Sequence, residues 1–448
     1  MYPTIAELAA ALQAGRSTSV ALTEAALARA QDAYGEGAKV FTDLYPEQAL
    51  AAARASDTLR AAGLARSPID GLPISVKDLF DIAGQPTRAG SVVLKTAPPA
   101  QRSALAVRRL QAAGVVVVGR TNMTEFAYSG LGINPHYGTP RNPWDRDTGR
   151  IPGGSSSGAA VSVSDGMAVA GIGSDTGGSV RIPAALCGLT GFKPTARRID
   201  MQGVLPLSAE LDSLGPLAAS VACCAVLDAV LAGEEPEVPP AAELAGARLA
   251  VPTTVVLDDM DETVAAAFAR ARERLQAAGV RIAEIEIPEF AELASINAKG
   301  GYTAAQAWAW HKDLIARAEE EYDPRVVSRI RRGRDMSAAD FIALQAARQR
   351  WIAQVQARMA GYDALLMPTV PQVAPPIAAL VQDEALYFRM NGLMLRNPTF
   401  INFLDGCALS LPCHAPGQAP VGLMLAAGGG QDRRVLSLGL AVEGALRA

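Results

Sequence analysis

Histidine is the scarcest informative residue in this chain of 448: only His136, His311 and His414 occur, far apart and in no HxxxH or similar spacing. That scarcity argues against a zinc site, and a Ser-His-Asp hydrolase would have to assemble its histidine by tertiary contact alone. Cysteine is also sparse. Five are present, and Cys223 and Cys224 are adjacent on a helical stretch, a pattern of neither a disulfide framework nor a metal site, so a reducing cytoplasm is expected. Aromatic residues make up 5% and charged residues 19%, so the interior must be built from Ala, Val, Leu and Ile. A formal charge of −4 offers no basic footprint for nucleic acid and no polybasic membrane patch. No run of about 18 apolar residues is free of charges and turn formers, so no membrane span is expected. The start, MYPTIAELAAALQAGRSTS, lacks the basic opening and unbroken apolar run of a secretory signal. A cytoplasmic protein follows, with a small molecule as its partner and no metal; a homodimer is left open.

What is present is apolar material in alternating patterns. Half the residues are apolar, enough for a large core, and the length allows two or three ordinary domains or one large α/β unit. Residues 4–60 are Ala-rich and predict a helical layer. GLPISVKD predicts a short strand, and SALAVRRLQAAGVVVVGRTN a helix, a stop at Gly114 and a strand. SSSGAAVSVSDGMAVAGIGSD repeats the plan, with a break near Gly166 and a strand over roughly Met167–Gly171. A helix at SVACCAVLDAVLAG, a Glu- and Pro-rich loop over 234–240 and a strand at ARLAVPT come next. TVAAAFARARERLQAAGVRIAEIEIP is a further helix-strand unit, and residues 303–360 read as a charged helical insert. YDALLMPTV, INFLDGCALSLP and APVGLMLAA then predict short strands before a final helix. The alternation predicts an α/β sheet with helices on its faces, and one large sheet is favoured over a division at the 234–240 loop.

Three stretches carry chemistry. GIGSDTGGS is Gly-rich, but it lacks GxGxxG spacing and a GK[ST] ending, and Pro183 follows early, which argues against a phosphate cradle. A strand running into a tight turn there would present the N–H groups of Thr176, Gly177, Gly178 and Ser179 to a developing oxyanion. On this motif alone, a surface turn that is Gly-rich for its bend is an equal alternative. Lys77 ends the apolar run LPISV, and is either held inside as a base or reaching to solvent. The serines of IPGGSSSG read as a cap cluster for the apolar helix that follows, and one of them can cap it while another faces a site.

The motifs GLPISVKDLFDIAG, NMTEF, NPHYGTPRNPWD, PGGSSSG and GSDTGGSVRIPAALCGLTGFKPT, in this order and spacing, resemble the amidase signature family. The resemblance is detailed over residues 70–196 and covers 5–445 in outline. It implies one large α/β/α sandwich with a mixed central β-sheet over residues 5–445; the 303–360 insert is expected to cover the cleft, and the chemistry calls for no cofactor. It implies Ser179 as nucleophile, Ser155 as bridging serine, Lys77 as base, and a cis peptide between Gly154 and Ser155. Asp175 and Arg181 match the motif beside the nucleophile and are expected to hold its loop by charge-assisted hydrogen bonds. Ala127, Tyr128 and Ser129, in EFAYSG, match positions near the acyl group, although Tyr128 equally reads as core. Trp308 and Trp310 are available from the insert. One departure stands out: the family's commoner GGSSGG has Ser157 in its fifth place here, with no role assigned.

The chemistry is coherent with those roles. A serine hydroxyl must lose its proton as it attacks, and with histidine so scarce, lysine is the remaining base. Free lysine has a pKa of about 10.4, which burial lowers. A second serine, donor and acceptor at once, can relay the proton. The expected activity is hydrolysis of a carboxylic amide through a seryl acyl-enzyme. The rivals are the glutaminase subunit of a tRNA-dependent amidotransferase and a non-catalytic binding protein on the same fold. A free-standing amidase is favoured because the C-terminal third, including NPTFINFLDGCALSLP, looks less like that glutaminase than the central motifs do.

Overall fold

Short buried runs separated by helices pair into one mixed sheet. The computed structural model describes residues 3–447. Its strands are β1 (Phe41–Leu44), β2 (Pro73–Lys77), β3 (Val116–Thr121), β4 (Ala170–Asp175), β5 (Thr190–Lys193), β6 (Ser213–Ala218), β7 (Arg248–Pro252), β8 (Arg281–Ile285), β9 (Ala364–Pro368), β10 (Cys407–Pro412) and β11 (Gly422–Ala427). They lie in the order β1-β3-β2-β4-β6-β5-β10-β11-β9-β7-β8. β2 is parallel to both β3 and β4, and β7 to both β8 and β9, while β1–β3, β4–β6, β5–β6, β5–β10, β10–β11 and β9–β11 are antiparallel. Helices cover the faces, and no helix among the described residues is long and apolar enough to cross a membrane.

Several elements differ from the sequence expectations. The Ala-rich start is not wholly helical, since Phe41–Leu44 forms the edge strand β1, too short to register as alternation. The fourth strand runs over Ala170–Asp175, not Met167–Gly171, because its buried residues are small and lack a β-branched run. β5 and β6 carry no strand signal in sequence: S-L-G-P-L-A looks like a turn, yet Pro216 sits opposite Ile172 inside the sheet. INF of INFLDGCALSLP is not strand but the end of the helix Glu384–Phe403, and β10 begins only at Cys407.

The centre of the sheet is shaped by small side chains. Successive strand residues point to opposite faces, so β2 sends Ile74 and Val76 to one side and Ser75 and Lys77 to the other. On the latter side the helix Ser157–Ser164, SGAAVSVS, packs with every residue buried. Ser75 Oγ meets Ser162 Oγ at 2.8 Å there. The helix comes this close because β4 offers glycines: a Cβ on Gly171 would lie 2.8 Å from the Ala159 carbonyl oxygen, and one on Gly173 would lie 2.5 Å from Ser156 Oγ. The segment 301–359 is helical, and its Trp351 is fully buried, donating its indole N–H to the Glu289 carbonyl at 2.6 Å.

Gly171→Ala is expected to destabilise the fold by about 1–3 kcal/mol through overpacking against the Ala159 backbone. Urea denaturation checks this, and an unchanged midpoint would contradict the close approach of helix and strand.

Candidate active site

β2, β4 and the serine helix converge on the end of Lys77. Its ammonium nitrogen is wholly buried, 2.7 Å from Ser155 Oγ and 2.9 Å from Ser174 Oγ, hydrogen-bonded to both. Burial pushes its pKa down to about 7, with the negative charges of Asp175 and Asp212 pulling the other way. Ser155 follows a cis peptide bond from Gly154. Its carbonyl accepts from the Thr124 amide at 3.1 Å, and the next amide, of Ser156, donates to the Ser179 carbonyl at 3.3 Å. The serine segment is thereby pinned between β3's exit and the turn after β4.

That turn is organised by one carboxylate. Asp175 Oδ1 accepts from the Gly178 amide at 2.8 Å and Oδ2 from the Val180 amide at 3.1 Å. Arg181 closes the loop through Nε to Oδ2 at 3.0 Å and Nη2 to Oδ1 at 2.9 Å, with both side chains fully buried. Asn402 completes the network, accepting from Arg181 Nη2 at 2.6 Å and donating to Asp175 Oδ1 at 2.9 Å. Although burial opposes the charge, Arg181 holds the Asp175 carboxyl well below the usual carboxylate range. Gly178 takes φ +122, where a Cβ would collide with Pro398 and Ile182.

One expectation is corrected here. The Gly178 N–H is committed to Asp175, so it is not a free oxyanion donor; Thr176, Gly177 and Ser179 are the turn amides that this carboxylate leaves unengaged. A second correction concerns the serines. Ser156 occupies the N-cap of the helix Ser157–Ser164 without accepting from it, and its hydroxyl donates to the Ser174 carbonyl at 3.4 Å instead. Ser157 is buried in the helix's first turn, its hydroxyl 3.4 Å from the Asn122 carbonyl oxygen, which gives it a packing place.

Ser179 opens into a cavity of about 200 Å³. Ala127, Tyr128, Ser129, Thr176 and Gly177 line it with Ser179, so the structure brings the expected pocket residues to the same space as the turn. Leu207, Leu211, Leu395 and Phe403 supply apolar wall, and Tyr302 and Thr303 come from the helical segment after 300. Trp308 and Trp310 are not in the lining; Trp310 packs on Phe126 and His311. Arg329 is the one charged side chain lining the cavity among the described residues. Its guanidinium lies over the Tyr128 ring, 4.4 Å from the centroid, and donates to the Tyr128 carbonyl.

A family model described as Amidase matches residues 21–436. The chain belongs to the amidase signature family. Among its relatives, the 2-amino-5-chloromuconic acid deaminase of Comamonas testosteroni is 38% identical over 88% of this chain and 86% of its own. A glutamyl-tRNA(Gln) amidotransferase subunit from Chloroflexus aggregans is 35% identical over 95% of this chain and 92% of its own. A crystal structure of an amidase superposes with a TM-score of 0.88 at 33% identity, covering 99% of both chains. Membership makes this chain an amidohydrolase, an enzyme acting on carboxylic amide C–N bonds. Similarity to the amidotransferase component runs through 95% of the chain.

Sequence reasoning missed Ser174, Arg329 and Asn402. Ser174 sits inside GIGSDTGGS, the residue before Asp175 at the end of β4. Arg329 was hidden among the many charged residues of its helix.

A lysine buried near neutrality makes a thermodynamic signature. Between pH 7 and 10.5 the unfolded chain binds a proton at Lys77 that the folded chain does not, so this group makes stability rise with pH across that window. Unfolding free energy is expected to rise more steeply over this range in the native chain than in Lys77→Met. Parallel slopes would contradict the buried, near-neutral lysine.

Proposed function

We propose that the chain hydrolyses a carboxylic amide through a seryl acyl-enzyme, with Ser179 as nucleophile, Ser155 as proton relay and Lys77 as base. The observation that carries this reading is the 2.7 Å contact between a wholly buried Lys77 Nζ and Ser155 Oγ. Neutral Lys77 draws the Ser155 proton as Ser155 takes that of Ser179, and the Ser179 oxygen bonds to the amide carbon. Ser179 Oγ has no hydrogen-bonded side-chain partner among the described residues, and the relay's last link closes as substrate seats. The amides of Thr176, Gly177 and Ser179 stabilise the oxyanion. The proton returns through Ser155 to the departing nitrogen as the C–N bond breaks. Water then attacks the ester, giving its proton to the same relay, and Ser179 recovers its hydrogen as the acid leaves. This sequence runs on the chain's own residues, with Asp175 and Arg181 holding the turn.

The substrate carries a carboxylate. Arg329 is fixed against Tyr128 in an otherwise uncharged cavity, where a guanidinium fork pairs with a carboxylate group. The relative from Comamonas testosteroni is named for an acid. The second reading, the glutaminase component of an amidotransferase, is favoured by the similarity over 95% of the chain and needs the same pocket charge.

Lys77→Ala is expected to lower amide turnover by roughly 10³-fold or more while the circular dichroism spectrum is retained. Ser179→Ala should abolish labelling by a fluorophosphonate. An active, folded Lys77→Ala variant, or label on another residue, would sink the assignment. In an ammonia-release screen of the purified chain alone, amides bearing a carboxylate should be preferred over neutral ones. Arg329→Met should raise KM for them about 100-fold and spare neutral amides; equal losses on both would refute the carboxylate pairing. Glutamine hydrolysis only with an added partner protein would favour the amidotransferase reading.

A further inference from the structure

One buried carboxylate beside the catalytic turn has no part in the mechanism above. Asp212 lies just before β6, opposite the end of β4, and is 4% exposed. Its Oδ1 accepts the Thr176 hydroxyl at 2.5 Å. Its Oδ2 accepts the amides of Leu207 at 2.9 Å and Ser208 at 3.0 Å. Thr176 is one of the three turn amides that Asp175 does not engage, and Leu207 lines the Ser179 cavity. Ser208 in turn donates to Gln306 of the helix Gly301–Ala318 at 2.6 Å. A single carboxylate therefore ties the nucleophile turn, the cavity wall and the covering helix together.

Asp212 also acts through space. The charges acting on Lys77 are Asp175 and Asp212. Asp175 is neutralised at contact distance by Arg181, whereas no cation among the described residues pairs with Asp212. Burial raises the Asp212 carboxyl to about 6, which leaves it mostly ionised at neutral pH. On its other side Asp212 borders a second, solvent-open cavity with Arg109, Arg197, Arg198 and Glu210. Of these, Arg197 and Arg198 are committed to Asp405, Asp228 and Glu234.

We propose that Asp212 is a positioning residue for the hydrolysis, fixing the Thr176 segment of the nucleophile turn against the cavity wall and presenting an unpaired negative charge to Lys77. The proposal rests on the reading of Lys77 as base. The carboxylate makes protonated Lys77 more favourable, so it sets how far above neutral pH the lysine must be taken before it accepts a proton. Its three accepted hydrogen bonds keep the turn from relaxing as negative charge grows on the substrate oxygen.

The test is the pH profile of kcat/KM for the native chain, Asp212→Asn, Thr176→Val and Lys77→Met. Asp212→Asn keeps the shape, removes the charge, and is expected to lower kcat about tenfold and to move the acid limb to lower pH by about one unit. Thr176→Val keeps the charge and cuts only the hydroxyl contact, so kcat should fall with the limb in place. An unmoved limb in Asp212→Asn, or unchanged kcat in Thr176→Val, overturns the proposal, and the second variant decides alone if the first does not fold. An active Lys77→Met would instead remove the base reading on which it rests. An inactive Lys77→Met beside an unmoved limb in Asp212→Asn removes the Asp212 assignment only.

Discussion

The buried ammonium nitrogen of Lys77, hydrogen-bonded to two serine hydroxyls and contacted by no carboxylate among the described residues, is the constraint around which the centre of the fold is arranged. Desolvation penalises its charge, and the compensation is incomplete because the nearby acids act through space. A close ion pair would restore the usual lysine pKa and leave it protonated at neutral pH. The fold avoids that pairing by giving Asp175 to Arg181, Asn402 and the turn amides. The same carboxylate that could pair with Lys77 therefore shapes the turn that carries Ser179.

A second buried lysine sharpens the point. Lys193 is as buried as Lys77, and burial lowers its pKa to about 8, yet it donates to the carbonyls of Pro194 and Gly406 at 2.6 and 2.7 Å. Carbonyl oxygens have no proton to give, so Lys193 has nothing to deprotonate. What sets Lys77 apart is the chemistry of its partners, hydroxyls in place of carbonyls. The glycines of β4 bring the serine helix close enough to provide them.

Much of this was legible in sequence, for physical reasons that can be named. Lys77, Ser155 and Ser179 lie in compact motifs whose residue types are tied to their chemistry, and the tight turn after β4 is written in its glycines. The helix-strand alternation exposed most of the sheet. β5 and β6 were illegible because Gly and Pro, which read as turns, sit where neighbouring backbones approach closely: a Cβ on Gly215 would lie 2.0 Å from the Phe192 carbonyl oxygen. The withdrawal of the Gly178 amide depends on which way one carboxylate oxygen points, and no spacing rule encodes that. Arg329 and Asn402 come from segments far beyond Ser179 along the chain, and only tertiary packing brings them to its surroundings.

The proposed mechanism requires Lys77 to be close to neutrality in the folded protein. The most direct measurement is the pH titration of the Lys77 ε-carbon resonance in protein labelled with [ε-¹³C]lysine, assigned by its absence in Lys77→Met. An inflection near pH 7, well below the ordinary lysine value, is expected. A Lys77 resonance that titrates only near the ordinary lysine value would contradict it.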